Sequence, residues 1–240
     1  MDKLSVIIPS YNEDKRIAKT LEAVSDFLKK QPYSYEILVI NDGSKDNTAG
    51  VVEKLEADIP NLRLINNTDN HGKGWVTKQG MLAAVGDVRV FMDADNSTKI
   101  DEIANFLPFF KQGFDIVLGS RRIAGSNVAK DQNHLREFLG WVFRTIVHIL
   151  VPVGVTDTQC GFKAFTASAT DAIFPKQTIF RWAFDVEILA LARRSKYKIK
   201  EVPITWVNDE ASHVKLIGMI NMLLEIIEIR INLWTGKYPQ

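Results

Sequence analysis

The run Leu4-Ser5-Val6-Ile7-Ile8-Pro9-Ser10-Tyr11-Asn12-Glu13 decides the fold class. Leu4–Ile8 has the short, apolar, β-branched character of a buried strand, and the polar stretch from Pro9 breaks it. Ile17, Leu21, Val24 and Leu28 then recur at helical spacing. The same succession of strand, polar turn and helical period returns at Glu36–Ile40, Leu62–Ile65, Val88–Met92 and Asp115–Leu118, with Val51, Val52 and Leu55 marking a second helix. Asn12 and Asp46 are placed to cap the helices that follow them. Strands alternating with helices predict an α/β fold, a Rossmann-like, mostly parallel sheet with helices on both faces. Ligands of such sheets bind beyond the carboxyl ends of the strands. Here those ends read Pro9–Glu13, Asn41-Asp42-Gly43-Ser44, Asp93-Ala94-Asp95 and Gly119-Ser120-Arg121-Arg122. One such polar turn is ordinary, because turns need Asn, Asp, Ser and Gly; four on one rim suggest a site.

Beyond residue 130 the rhythm changes. Two long amphipathic helical stretches, Phe138–Val151 and Met219–Leu233, flank a Cys160-Gly161-Phe162-Lys163 turn, a further helix and a strand-like Glu201–Val207. No linker or repeat interrupts the chain, so 1–240 reads as one domain, with residues 1–125 as one half and 126–240 as an elaboration of it.

Composition narrows the function. Thirty Lys and Arg against 29 Asp and Glu leave a net charge of +1, which argues against a nucleic-acid partner. A single cysteine, Cys160, excludes an intrachain disulfide and a multi-cysteine zinc site, and fits a reducing compartment. Met1–Ser10 runs straight into strand-like sequence, so no secretory signal is expected. The sequons at Asn66 and Asn96 are then chance, and no uninterrupted apolar run is long enough to span a bilayer.

The first strand-to-helix turn lacks Gly-x-Gly-x-x-Gly, and Gly72-Lys73-Gly74 lacks the rest of a P-loop, which disfavours NAD binding and nucleotide hydrolysis. No Gly-x-Ser-x-Gly elbow is present either. The Asp93-Ala94-Asp95 turn is the positive signal. Carboxylates two residues apart in extended backbone point the same way. Brought together they repel, and a hard cation such as Mg²⁺ or Mn²⁺, completed by substrate phosphates, relieves the repulsion.

Ser5–Glu13, Asn41–Ser44 and Met92–Asp95, in that order and spacing, resemble the family 2 glycosyltransferases of GT-A fold over about the first 125 residues. The resemblance implies that Pro9, Tyr11, Glu13 and Asp42 hold the nucleobase and ribose of a nucleotide sugar. It also implies that Asp93, Ala94 and Asp95 meet the metal and sugar diphosphate, with Lys73 assisting. Gly119-Ser120-Arg121, Asp157-Thr-Gln-Cys-Gly-Phe-Lys163, Arg181-Trp-Ala-Phe-Asp-Val-Glu187 and Glu201-Val-Pro-Ile-Thr-Trp206 narrow the likeness to polyprenyl-phosphate sugar synthases, above all the dolichyl-phosphate β-glucosyltransferases. The implied reaction is an inverting hexosyl transfer, glucose from UDP-glucose, to a polyprenyl phosphate. The alternatives are mannose from GDP-mannose, a soluble polysaccharide or cell-wall glycosyltransferase, and a noncatalytic nucleotide-sugar binder.

The chemistry poses three charge problems. A leaving diphosphate needs a Lewis acid, which a cation on Asp93 and Asp95 supplies. An anionic acceptor needs fixed positive charge, for which Arg121, Arg136 and Lys163 are the candidates, a guanidinium binding phosphate bidentately. The acceptor phosphate, with a second pKa near ~6, needs little base catalysis. Asp157, implied as a catalytic carboxylate, then orients rather than deprotonates. Asp185 and Glu187 precede a helical core run and Cys160 reads as a packed small residue. In Met219–Leu233 a polar stripe of Asn221, Glu225, Glu228 and Asn232 opposes Ile, Leu and Met, and Phe138–Val151 shows a similar stripe. Such helices suit either the membrane interface or a core. The basic run Arg193–Lys200 suits anionic lipid or, more simply, a solvated loop. The expected place is peripheral, on the cytoplasmic face of a membrane; the oligomeric state stays open.

Overall fold

The computed structural model describes residues 2–129, 134–207 and 216–238, without the side chains of 129, 134–139, 141, 216, 217 and 219. The first half runs β1 (Lys3–Ser10), α1 (Ile17–Leu28), β2 (Ser34–Asp42), α2 (Thr48–Leu55), β3 (Leu62–Asn67), α3 (Lys73–Ala83) and β4 (Val88–Met92). A 3-10 turn leads into α4 (Ile103–Lys111), β5 (Ile116–Ser120), β6 (Asn127–Ala129) and α5 (His134–Leu150). The chain continues through β7 (Phe162–Thr166), α6 (Ala167–Ile173), α7 (Phe184–Arg194), β8 (Ile199–Pro203), β9 (Thr205–Val207) and α8 (Leu216–Thr235).

Seven strands form one sheet in the order β3-β2-β1-β4-β7-β5-β8, and β6 pairs with β9 in a two-stranded sheet. All main-sheet pairs are parallel except those of β7, which runs antiparallel between β4 and β5. The predicted mostly parallel sheet is therefore present, with one correction. Phe162 and Lys163 belong not to a turn but to the start of a buried strand, which five residues carrying a lysine gave no alternation to reveal. The expected strand Glu201–Val207 is likewise divided at Ile204, β8 closing the main sheet and β9 leaving it to pair with β6.

Period-two alternation divides the core into two layers. Leu4, Val6 and Ile8 of β1 face a layer with Ile17, Leu21, Val24 and Leu28 of α1 and Phe106 of α4. Ile7, with Phe91 and Phe165, faces the opposite layer of α3, α5, α7 and α8. Neither expected cap bonds its helix in the usual manner. Asn12 adopts φ 56° and its Oδ1 accepts from Lys45 N at 2.8 Å, tying the β1 and β2 turns together, while Arg16 stands at the α1 cap. Asp46 lies one residue before the α2 cap and accepts from Thr48 N at 3.0 Å.

Within α5, Phe143 and Val147 are buried, which makes this part a core helix. The α8 stripe divides between the interior and solvent. Glu225 Oε2 accepts from Trp182 N and Ala183 N at 3.2 and 2.9 Å, and Asn232 is buried beside Tyr238. Glu225 and Asn232 thus turn inward, where buried polar groups need partners, while Asn221 and Glu228 stay exposed; Met222, Ile226 and Ile229 join the core, and Ile220, Leu224, Ile227, Ile231 and Trp234 face outward. The basic run 193–200 is the end of α7, a turn and the start of β8; Arg193 bonds Val153 O and Gly154 O at 2.7 and 3.1 Å.

α3 lies close on the sheet because Gly80 has no side chain: a Cβ there would stand 2.5 Å from Ile7 Cγ2 and 2.8 Å from Ile40 Cγ1. This close approach aims the start of α3 at the rim. Gly80→Ala is expected to destabilise the protein by about 1–3 kcal/mol through overpacking, read as a lowered urea midpoint.

Candidate active site

The carboxyl ends of β1, β2 and β4 and the start of α3 wall a cleft of about 450 Å³. Pro9, Tyr11 and Glu13 line it from the β1 turn, Asp42 from β2, Lys73 from α3, and Asp93, Ala94 and Asp95 from the β4 turn. Every residue assigned from sequence to the donor side therefore meets in one place.

Asp42 is buried, and its carboxylate accepts from His71 N at 2.7 Å, Gly72 N at 2.9 Å and Asn70 Nδ2 at 2.9 Å. It thereby builds the turn that launches α3. Gly72 sits there at φ 102°, where an added Cβ would lie 2.5 Å from Phe180 O. Lys73 opens the helix, and its Nζ stands 2.5 Å from Asp93 Oδ1. Burial disfavours the Lys73 charge, but Asp93 and then Asp185 more than offset this, and its pKa is raised. Asp95 accepts from Ser97 N at 2.9 Å. Burial, then the charge of Asp93, raises its pKa. Burial also raises Glu13, against the pull of its ion pair with Arg16, and the nearby Asp95 and Asp93 add to the rise. These directions share one cause, a surplus of partly desolvated negative charge on the rim.

That surplus tests the fit of a divalent cation. Among the described residues no cluster of three His, Cys, Asp or Glu surrounds the pair. Two carboxylates beside an open cleft instead suit a hard ion that keeps positions for water and phosphate oxygen. Gly161 makes room for the arrangement, since a Cβ there would stand 2.0 Å from Asp93 Oδ2.

Arg121 and Asp157 form a second constellation. Nε and Nη2 of Arg121 donate to Oδ2 and Oδ1 of Asp157 at 2.7 and 2.9 Å, Arg121 N adds a bond of 3.0 Å, and the guanidinium lies 5.3 Å from the Trp206 ring. Burial alone would raise the Asp157 pKa, but the bonds and charge of Arg121 bring it down to about 2. A carboxylate that acidic is no base near neutrality, in keeping with an orienting role. Lys163 departs from its expected role. It is fully buried, with Nζ 2.5 Å from Asp185 Oδ1 and 2.5 Å from Cys160 O, so no acceptor phosphate reaches it. Arg136 lies in the first turn of α5, with its side chain outside the described residues. Glu187 bonds Thr178, Ile179 and Tyr238 and serves the fold. Cys160 is packed, its thiol pushed up to about 12 by burial.

The sequence matches the family model described as Glycosyl transferase family 2 over residues 5–174. The chain belongs to this family. Among its relatives, a dolichyl-phosphate beta-glucosyltransferase of Trichomonas vaginalis is 37% identical over 96% of this chain and 73% of its own. The dolichyl-phosphate beta-glucosyltransferase of Homo sapiens is 32% identical over 98% of this chain and 77% of its own. Among solved structures, glucosyl-3-phosphoglycerate synthase from Mycobacterium tuberculosis, in complex with Mn²⁺, UDP and glucosyl-3-phosphoglycerate, superposes with a TM-score of 0.72. It is 17% identical, covering 96% of this chain and 79% of that one. Mannosyl-3-phosphoglycerate synthase from Rubrobacter xylanophilus gives 0.70 at 17% identity over 99% and 76%. The likeness establishes the GT-A fold for this family 2 glycosyltransferase.

Several cleft residues of this glycosyltransferase had no site role in the sequence: Ser10, Arg16, Asn70, Val76, Arg181 and Trp182. Arg181 and Trp182 arrive from far along the chain, because Phe180 O and Arg181 O accept from Trp75 N and Gly74 N at 3.1 and 3.2 Å. Only their place in a family-like run hinted at them. The Arg121–Asp157 pair generates a pH prediction. Its folded carboxyl pKa of about 2 lies below the ordinary 3.8. The resulting stabilisation, about 2 kcal/mol, is complete above the unfolded pKa and lost as pH falls through the folded one. Urea midpoints should show Asp157→Asn less stable than the parent at pH 7, the gap closing between about pH 5 and pH 2.

Proposed function

We propose that this glycosyltransferase moves glucose from UDP-glucose to a polyprenyl phosphate of dolichyl type, with inversion at the anomeric carbon. The observation that carries the reading is the convergence of Asp93, Asp95 and Lys73 with Tyr11, Glu13 and Asp42 in one cleft. The names of relatives matching 96–98% of the chain support the choice of sugar and acceptor.

In this reading Tyr11, Glu13 and Asp42, with Pro9 behind them, receive the nucleoside, and Lys73 and Ala94 border the diphosphate. Mg²⁺ or Mn²⁺ held by Asp93 and Asp95 would supply Lewis-acid stabilisation of the leaving diphosphate. Arg121, pre-oriented by Asp157, and Arg136 present positive charge to the acceptor phosphate. The acceptor is itself ionised, its second pKa near ~6, so attack needs no strong base. Residues 1–125 serve mainly the donor and 126–240 mainly the acceptor.

A lipid acceptor also calls for a surface that meets the bilayer. No helix among the described residues is long and apolar enough to cross a membrane. α8 offers Ile220, Leu224, Ile227, Ile231 and Trp234, between 41% and 85% exposed, at a spacing that aligns them on one edge. We assign this edge to peripheral docking on the cytoplasmic face, with the apolar side chains in the interfacial layer.

The decisive assay supplies Mg²⁺ or Mn²⁺, labelled nucleotide sugars and short polyprenyl phosphates and measures organic-extractable label. Label from UDP-glucose is expected; label from GDP-mannose alone, or transfer only to free glycans, would reject the assignment. Gly161→Ala should weaken Mn²⁺ binding about 10–100-fold by calorimetry, with the far-UV spectrum unchanged, because the added Cβ would collide with the Asp93 carboxylate that would hold the cation. Leu224→Glu with Ile231→Glu should lower liposome co-sedimentation and raise KM for a long-chain acceptor while sparing a short one.

A further inference from the structure

Below the cleft the protein carries charges that the donor pocket does not display. Lys163, on β7 opposite Phe91, is fully buried, and its Nζ lies 2.5 Å from Asp185 Oδ1. Asp185 is itself only 6% exposed, in the first turn of α7. Backbone packing sets that turn against the start of α3. Gly74, beside Lys73, lies so close to Phe184, beside Asp185, that an added Cβ would stand 2.7 Å from Phe184 Cβ. Gly74 N also donates to Arg181 O at 3.2 Å, and Gln177 Nε2 to Gly74 O at 2.9 Å. The first turns of α3 and α7 are thereby fixed on one another. From the interior to the rim the charges alternate: Lys163, Asp185, Lys73, Asp93.

A buried ion pair is a poor means of stabilising a fold, since apolar residues of similar size often do as well. Its position beside the first turn of α3 points to another use. Lys73 is the flexible member, about a quarter exposed at its side chain, with its direct bond going to Asp93. Asp93 must also share its charge with a cation. The first turn of α7, which carries Asp185, packs on the first turn of α3, which carries Lys73, and so brings a second carboxylate charge to bear on Lys73. Asp185 in turn would be a lone buried charge without Lys163 and would take up a proton, losing its hold.

We propose that the Lys163–Asp185 pair is a positioning element that keeps the Lys73 ammonium at the diphosphate end of the donor site. The inference rests on the donor assignment made above. Lys163 and Asp185 act through Lys73 and touch no substrate themselves.

The test is a double-mutant cycle on donor affinity. Lys163→Met with Asp185→Asn removes both charges at nearly constant volume and leaves no lone buried ion. UDP-glucose binding is measured by calorimetry with Mn²⁺ present, in the parent, in this neutral-pair variant, in Lys73→Met and in the triple variant, with thermal melts alongside. The neutral pair and Lys73→Met are each expected to weaken binding about tenfold, and the triple variant no further, since residues acting through one another are non-additive. Parent-like binding by the neutral pair, or losses that add in the triple variant, would overturn the positioning role. If the neutral pair melts below the assay temperature, Lys163→Leu with Asp185→Asn, which also leaves no lone buried ion, carries the cycle, and failure of both to fold would assign the pair to stability and overturn the proposal. A parent that binds another nucleotide sugar instead of UDP-glucose rejects the donor assignment, and the same cycle run with that sugar decides the role of the pair.

Discussion

Repulsion between carboxylates is the constraint around which this molecule is arranged. A parallel sheet delivers its strand ends to one rim, and three of those ends bring Glu13, Asp42, Asp93 and Asp95 to a single cleft. Each acid is accommodated differently. Asp42 is satisfied by two backbone N–H groups and the Asn70 amide, Glu13 by Arg16, and Asp93 by Lys73. Asp95 has the least, a bond from Ser97 N against burial and the charge of its neighbour. What remains is a local deficit of positive charge beside open volume, the electrostatic condition for gripping a cation together with a diphosphate.

In the proposed reading the Arg121–Asp157 constellation solves the reverse problem for the acceptor. Bringing an anion next to a diphosphate needs positive charge that does not swing away, and the Asp157 fork holds Arg121 by two side-chain bonds and the backbone. Asp157 is in turn fixed from behind, where Glu201 of β8 accepts from Thr156 N and Asp157 N at 2.8 and 3.0 Å. Such outer bonds restrict orientation in the way that second layers of metal and phosphate sites do. The edge strand of the main sheet, on the far side from the cleft, therefore holds the Arg121–Asp157 constellation in place.

α8 joins the outside of the protein to the same region. Its outward edge is apolar, while its inward Glu225 receives the backbone N–H groups of Trp182 and Ala183 just before α7. Trp182 lines the cleft. The helix proposed to dock on a lipid surface thus also fixes one wall of the cleft. The inward placement of Glu225 follows from hydrogen bonding: a helix start packed against α8 needs acceptors, and a carboxylate facing it meets that need.

Much of this was legible in the chain. Apolar runs of four or five residues ending in polar turns determined β1 to β5, the two-layer core and the rim, because burial on both faces and the demands of turns leave a local signature. The Asp93-Ala94-Asp95 turn was readable for the same reason, lying at a strand end, while Tyr11, Glu13 and Asp42, also at strand ends, were joined to it by the resemblance to the family's motifs. The sequence alone did not reveal β7, because an antiparallel strand inserted between distant neighbours has no local mark and its lysine read as a phosphate ligand in a turn. Nor did it give the burial of Lys163, the arrival of Arg181 and Trp182 at the cleft, or the face that α8 turns outward. Those depend on which backbone groups lack partners and which elements pack side by side, and only the folded chain brings residues a hundred positions apart close enough for that to be decided.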